Sequence, residues 1–153
     1  MDYIQELRAL VGSRPIIMVG AAILITDHLG QVLLHQRSDN GLWGIPGGAM
    51  EPGESVEATA RREAWEETGL EVRSMKLFGV FSGPEFFYEY PNGDQVHNVT
   101  VAFSCSAYHG ILTLNSEGTC LRFFHPEEIH LSQVSPPVRT ILAQYIKSLP
   151  HYS

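Results

Sequence analysis

The stretch GGAMEPGESVEATARREAWEETGL, residues 47–70, decides how the rest of the chain is read. It opens on two glycines and turns through Pro52 and Gly53. It then sets Glu63, Glu66 and Glu67 on a segment with helical patterning that Gly69 stops. At 3.6 residues per turn the three glutamates stand at i, i+3 and i+4 and share one face. Like charges at that spacing cost a helix roughly 0.2–0.5 kcal/mol per pair, so the arrangement requires water, cationic partners or a bridging metal. Val56, Ala60 and Ala64 form a stripe of small side chains along which a helix can approach a sheet closely, and Glu67 falls near the same sector. At least this carboxylate is expected to point inward, where it needs a partner. Mg²⁺ takes hard oxygen ligands, one or a few carboxylates among them, and completes its shell with water and phosphate oxygens. A solvated face is the plain alternative for a glutamate-rich helix, and spacing alone does not separate the two.

Outward from this stretch, the chain alternates strand-like and helical patterns. Residues 2–11 carry Ile4, Leu7, Leu10 and Val11 at helical spacing, which predicts a short N-terminal helix. Residues 15–27 and 31–37 are apolar and β-rich, which predicts two adjacent core strands with a tight connection. The glycine-rich segment SDNGLWGIPGG reads as a loop leading to the acidic helix. Residues 71–83 and 85–90 read as strands, and the PNGD turn at 91–94 leads into a strand from 95. Within it Val99, Val101, Phe103 and Cys105 alternate with a wetter set, Asn98, Thr100, Ala102 and Ser104. Residues 120–124 add another strand, and a terminal helix spans about 137–148, its start marked by Pro137. This order predicts one α+β domain over residues 1–153 and not a regular βαβ array.

Composition narrows the function. At 153 residues and 44% hydrophobic content the chain suits a single core. Its net charge of −7, with ten scattered basic residues, argues against general nucleic-acid binding. An acidic protein still binds an anionic phosphate compound when a divalent cation sits between them. No apolar run reaches the length of a membrane span, and the acidic N-terminus lacks a signal-peptide layout, so a cytoplasmic location is expected. Cys105 and Cys120 lack C-x-x-C spacing and read as ordinary packed thiols. The seven histidines are dispersed and suggest no nucleophilic triad.

With its glycines and arginine included, the stretch resembles the signature of the Nudix hydrolase family, G-x(5)-E-x(7)-R-E-U-x-E-E-x-G-U, where U is bulky and apolar. Gly48, Glu54, Arg62, Glu63, Glu66, Glu67, Gly69 and Leu70 fill the fixed positions in register. Seven fixed identities at average residue usage match by chance in about 10⁻⁷–10⁻⁶ of chains this long, which removes accident as an explanation. Ala64, at the first U position, is smaller than the pattern asks for, a departure that concerns packing.

The resemblance implies a Nudix-type α/β/α sandwich with a mixed β-sheet and the motif as a loop-helix-loop. It also implies a Mg²⁺-dependent pyrophosphohydrolase, with Mn²⁺ as a substitute, that cleaves a diphosphate linkage in a nucleoside diphosphate derivative. Carried over by position, Glu63, Glu66 and Glu67 become metal-binding carboxylates, Glu66 through water, with a backbone carbonyl at Gly48 or Gly47 beside them. Arg62 orients the glutamates and Glu54 supports that network. The general base is Glu63 or, from a later loop, Glu117. For the substrate, Arg37, Trp43, Phe81 and Tyr88 are the candidate contacts, within an aromatic-rich region where Phe86, Phe87 and Tyr90 also lie. ADP-ribose-like compounds and nucleoside triphosphates both stay open. The expected partner is thus a small nucleotide, without a membrane or general nucleic acid, and a homodimer is allowed. The competing reading is a catalytically inactive Nudix domain serving as a nucleotide-binding sensor.

Overall fold

The computed structural model describes residues 2–116 and 118–150. Helix α1 (Tyr3–Val11) starts at Asp2, whose carboxylate accepts from the Gln5 backbone N–H while the Gln5 side chain accepts from Asp2 N–H. Strands β1 (Ile16–Ile25), β2 (Val32–Arg37), β3 (Trp43–Gly44) and β4 (Gly47–Ala49) follow, then helix α2 (Val56–Thr68). Next come β5 (Leu70–Phe81), β6 (Phe87–Glu89), β7 (Gln95–Gly110) and β8 (Gly118–Phe124), and the last helix is α3 (Pro136–Ser148). Among the described residues the strands form two sheets. One runs β4-β1-β7-β5, with β6 also on β7, and the other runs β3-β2-β8. The β1–β7 pairing is parallel and the other strand pairings are antiparallel, which makes the larger sheet mixed.

β1 sits at the centre because both its edges and both its faces are covered. Ala21, Ile23 and Ile25 face a core shared with Ala60 and Ala64 of α2, at 0% exposure, together with Phe103 and Cys105. Ala22 and Leu24 face the opposite core with Ala102, Phe81, Ile141 and Leu142, the last two from α3. Helices therefore flank the strands on two sides, as the α/β/α expectation requires.

Four expectations change in detail. β1 and β2 are consecutive but lie in different sheets, because β4 and β7 occupy the edges of β1, and a Thr26–Val32 bridge beyond the end of β1 links them. The segment 85–90 is not one strand: Pro84–Phe86 forms a 3₁₀ turn that buries Phe86, and pairing begins at Phe87. The glycine-rich loop contains β3 and β4. Its glycines serve close backbone approach, since a Cβ on Gly47 would come 2.5 Å from Ala21 O and one on Gly20 would come 2.7 Å from Gly48 O. Finally, the wetter set on β7 is not a solvent face: Ala102 is fully buried toward α3, and Asn98 and Thr100 floor a cleft.

Candidate active site

α2 is positioned by its ends. Ser55 Oγ accepts from Ala58 N–H at 3.0 Å, capping the start. Gly69, at φ 76°, adopts the left-handed turn that ends the helix, and its N–H donates to Trp65 O at 2.9 Å. With the small stripe against β1, the polar edge of α2 lies along β4.

Three consecutive residues of β4 then meet three side chains of α2. The Gly47 N–H donates to Glu67 Oε2 at 3.3 Å. The Glu63 carboxylate packs on Gly48 so closely that a Cβ there would lie 2.5 Å from Oε1. Arg62 Nη2 donates to Ala49 O at 3.1 Å. The same guanidinium grips Glu54 through Nε at 2.7 Å and Nη2 at 2.9 Å, and reaches Glu63 Oε1 through Nη1 at 2.9 Å. Glu54 also accepts from Glu51 N–H and Thr59 Oγ1.

The electrostatics follow from these contacts. Hydrogen bonds from Arg62 pull the Glu54 carboxyl down to about 2, and the same bonds raise the Arg62 pKa. Burial pushes Glu63 up, against the opposing pull of a hydrogen bond with Glu67 and the charge of Arg62. Glu63 and Glu67 stand one turn apart on α2, their side chains only 14% and 15% exposed. Glu66 is different: at 53% exposed it reaches back to Arg62 at 3.4 Å and does not join the other two. Among the described residues no three His, Cys, Asp or Glu side chains converge as a ready metal cage. Two close carboxylates over a glycine backbone nevertheless supply the hard oxygen donors that Mg²⁺ prefers, so the residues present fit that ion.

A cleft of about 250 Å³ opens beside Gly47, Gly48 and Glu67. Of the candidate substrate contacts, Arg37 and Tyr88 line it. Trp43 and Phe81 do not. Trp43 packs edge-on against Phe124 with ring centroids 4.9 Å apart, and its carbonyl accepts from Ser135 N–H at the start of α3. Phe81 is 6% exposed, packed with Phe78 and Phe86. Both are core residues here, because the α3-side core extends under the strand that carries Phe81. Tyr90 also lines the cleft, edge-to-face with Tyr88 at 4.9 Å, while Phe86 is buried and Phe87 lies against His97. Glu117 lies outside the described residues.

Sequence reasoning passed over His35, whose Nε2 sits 3.4 Å from Glu67 Oε2 and 3.3 Å from Ile45 O. It also passed over Asn98, which donates to Phe86 O, and Thr100. The usable signal for His35 was its place at the partly exposed end of the buried VLL run.

The profile of the NUDIX domain matches residues 17–145. A "MutT-like protein" of Streptomyces ambofaciens is 32% identical over 117 residues, 76% of this chain and 70% of that one. An "ADP-ribose pyrophosphatase" of Methanocaldococcus jannaschii is 34% identical over 103 residues, 65% of this chain and 57% of that one. A "Nucleoside triphosphatase NudI" of Enterobacter sp. is 27% identical over 129 residues, 79% and 91%. Among solved structures, the MutT protein of Bacillus halodurans superposes with a TM-score of 0.67 at 29% identity, covering 86% of this chain and 83% of that one. Among the described residues no helix is long and apolar enough to cross a membrane. With the signature in register, its side chains gathered along β4 and the domain profile spanning most of the sequence, the chain belongs to the Nudix hydrolase family.

Proposed function

We propose that the chain is a Mg²⁺-dependent pyrophosphohydrolase, with Mn²⁺ as a substitute, that hydrolyses a diphosphate linkage in a nucleoside diphosphate derivative, either ADP-ribose-like or a nucleoside triphosphate. The observation that carries this reading is the three-rung contact between β4 and α2: Gly47 with Glu67, Gly48 with Glu63, and Ala49 with Arg62. It sets Glu63 and Glu67 along β4, with Glu67 lining the cleft that opens beside Gly47 and Gly48.

In this reading Glu63 and Glu67 would hold the ion, with Glu66 assisting through water and the Gly48 backbone contributing beside them. The bound ion supplies Lewis acidity toward the phosphate oxygens and lowers the pKa of water. Arg62 fixes the angle of Glu63 while its other arms stay locked on Glu54 and Ala49. Glu63, the general-base candidate within the described residues, takes a proton from the attacking water at its carboxylate. Gly47 N–H and His35 hold Glu67 in place from the opposite side. Tyr88 offers a ring face to the base, and no covalent enzyme intermediate is needed.

The test is a panel of ADP-ribose, other nucleoside diphosphate derivatives and nucleoside triphosphates, offered to the pure protein with Mg²⁺ or Mn²⁺. Turnover is expected with at least one class and vanishes in EDTA. Glu67→Gln is expected to lower kcat by about 10²-fold or more, the scale on which a lost transition-state electrostatic contact acts. Full activity of that variant would remove the assignment.

A further inference from the structure

Helix α1 is not a core element. It buries no side chain, and among the described residues neither core includes one of its own. Its attachments gather elsewhere. The Arg8 guanidinium, only 12% exposed, donates through Nη1 to the carbonyls of Gly12 and Arg14 at 3.0 and 2.6 Å, and through Nη2 to that of Gln95 at 2.6 Å. Its Nε faces the Asp94 carboxylate at 3.7 Å, and Ser13 Oγ donates to the same carboxylate at 3.1 Å. One forked side chain thus ties the end of α1 and the entry to β1 onto the first residue of β7 and the turn before it.

That turn carries part of the cleft. Tyr88, Tyr90 and Pro91 line it from β6 and the turn, together with Val138 and Ile141 of α3. The element that bears the two rings is slight, since β6 is three residues long and pairs with β7 alone among the described strands. Its ends decide whether it stays in place. At one end Asn98 Nδ2 donates to Phe86 O at 3.1 Å. At the other the turn closes on itself, with Tyr90 N–H on Asp94 O and Gly93 N–H on Tyr90 O. Asp94 and Gln95, where that closure is anchored, are the residues that Arg8 and Ser13 grip. A short edge strand opens locally at low cost unless it is tied down, so the tie from α1 governs where the rings stand.

We infer that Arg8, with Ser13, is a positioning residue for the base: α1 works as a clasp that holds the β6–β7 turn, and through it the Tyr88 and Tyr90 rings, at the width of a flat heterocycle. Arg8 does not line the cleft and acts through the turn. This rests on the reading of the cleft as the seat of a nucleotide base. It brings a part of the chain outside the glutamate signature into nucleotide selection.

The experiment separates the two ends of the cleft. Adenosine, deoxyguanosine and cytidine probe the aromatic end without phosphate, and inorganic pyrophosphate with Mg²⁺ probes the glutamate end without a base. Dissociation constants are read by NMR titration of wild type, Arg8→Ala and Ser13→Ala. The wild type is expected to bind at least one nucleoside. Arg8→Ala is expected to weaken that nucleoside about tenfold, the scale set by base–aromatic stacking, and to leave pyrophosphate within about twofold. Ser13→Ala removes a single contact to Asp94 and is expected to weaken the nucleoside about threefold, which keeps the test open should Arg8→Ala fail to fold. A general structural role for Arg8, or its charge acting at a distance, would shift both probes together. Equal weakening of both probes, a nucleoside constant that stays flat in both variants, or a wild type that binds no nucleoside overturns the clasp. Turnover on the substrate panel is scored separately. Selective weakening without turnover keeps the clasp and removes the hydrolase reading, whereas turnover with flat nucleoside constants does the reverse.

Discussion

At Gly48 the absence of one methyl group decides the site, because the volume a Cβ would fill belongs to the Glu63 carboxylate. Arg62 then fixes that carboxylate, and Glu54 fixes Arg62. The pH dependence of this chain of contacts can be worked out. Glu54 is held at about 2 against an ordinary value of 4.5. A depressed carboxyl stabilises the fold above its unfolded pKa and loses that contribution as pH falls toward the folded one. The Glu54–Arg62 pair is therefore at full strength above about pH 5 and fades as the pH falls from about 4.5 toward 2. Urea unfolding at stepped pH should show Glu54→Gln well below wild type at pH 6 and the two converging toward pH 2. A constant gap across that range would contradict the pairing. Glu54, Arg62, Glu63 and Glu67 were legible because one helix and its leading loop carry them at fixed spacing. His35, Asn98 and Thr100 were not, because they reach the cleft from strands far apart in sequence and no local pattern marks which face looks inward.

Elements were legible wherever periodicity or end chemistry spoke. Gly69 ends α2 and the PNGD turn joins β6 to β7 as expected, with Gly93 at φ 92°. β3 and β4 were invisible, since a strand made of Trp-Gly and Gly-Gly-Ala has neither alternation nor β-branched residues to announce it. The parting of β1 from β2 was equally hidden, because each is apolar enough to neighbour the other and only distant partners settle the matter. Gly69 shows how tightly an end can be specified. It needs the left-handed conformation, and an added Cβ would also lie 2.7 Å from Ile111 O on the segment after β7. Gly69→Ala is expected to cost about 1–3 kcal/mol, read as a lowered denaturant midpoint with an unchanged m-value. A midpoint within error of wild type would mean that the turn relaxes without loss.

Over the whole molecule, the separation of packing from recognition is the main revision to the aromatic residues. Phe81 and Trp43 share the α3-side core, whereas Tyr88 and Tyr90 line the cleft. Alternation along a strand told nothing of this, because the side facing α3 is core at Ala102 and open cleft at Asn98. Phe81→Ala is expected to destabilise the fold by about 3–5 kcal/mol while the KM of the folded enzyme stays within about twofold of wild type. A large rise in KM with little loss of stability would return Phe81 to the substrate. The central pairing has a consequence in time. Ile16 lies beside Val96 and Ile25 beside Cys105, so the strand that bears both cores must wait for partners made some eighty residues later. During synthesis, α2 and its glutamates emerge before the β7 strand needed to complete the sheet beneath them. Long-range parallel pairing of this kind is slow to close. The surroundings that fix the acidic helix are therefore complete only once β7 has been made.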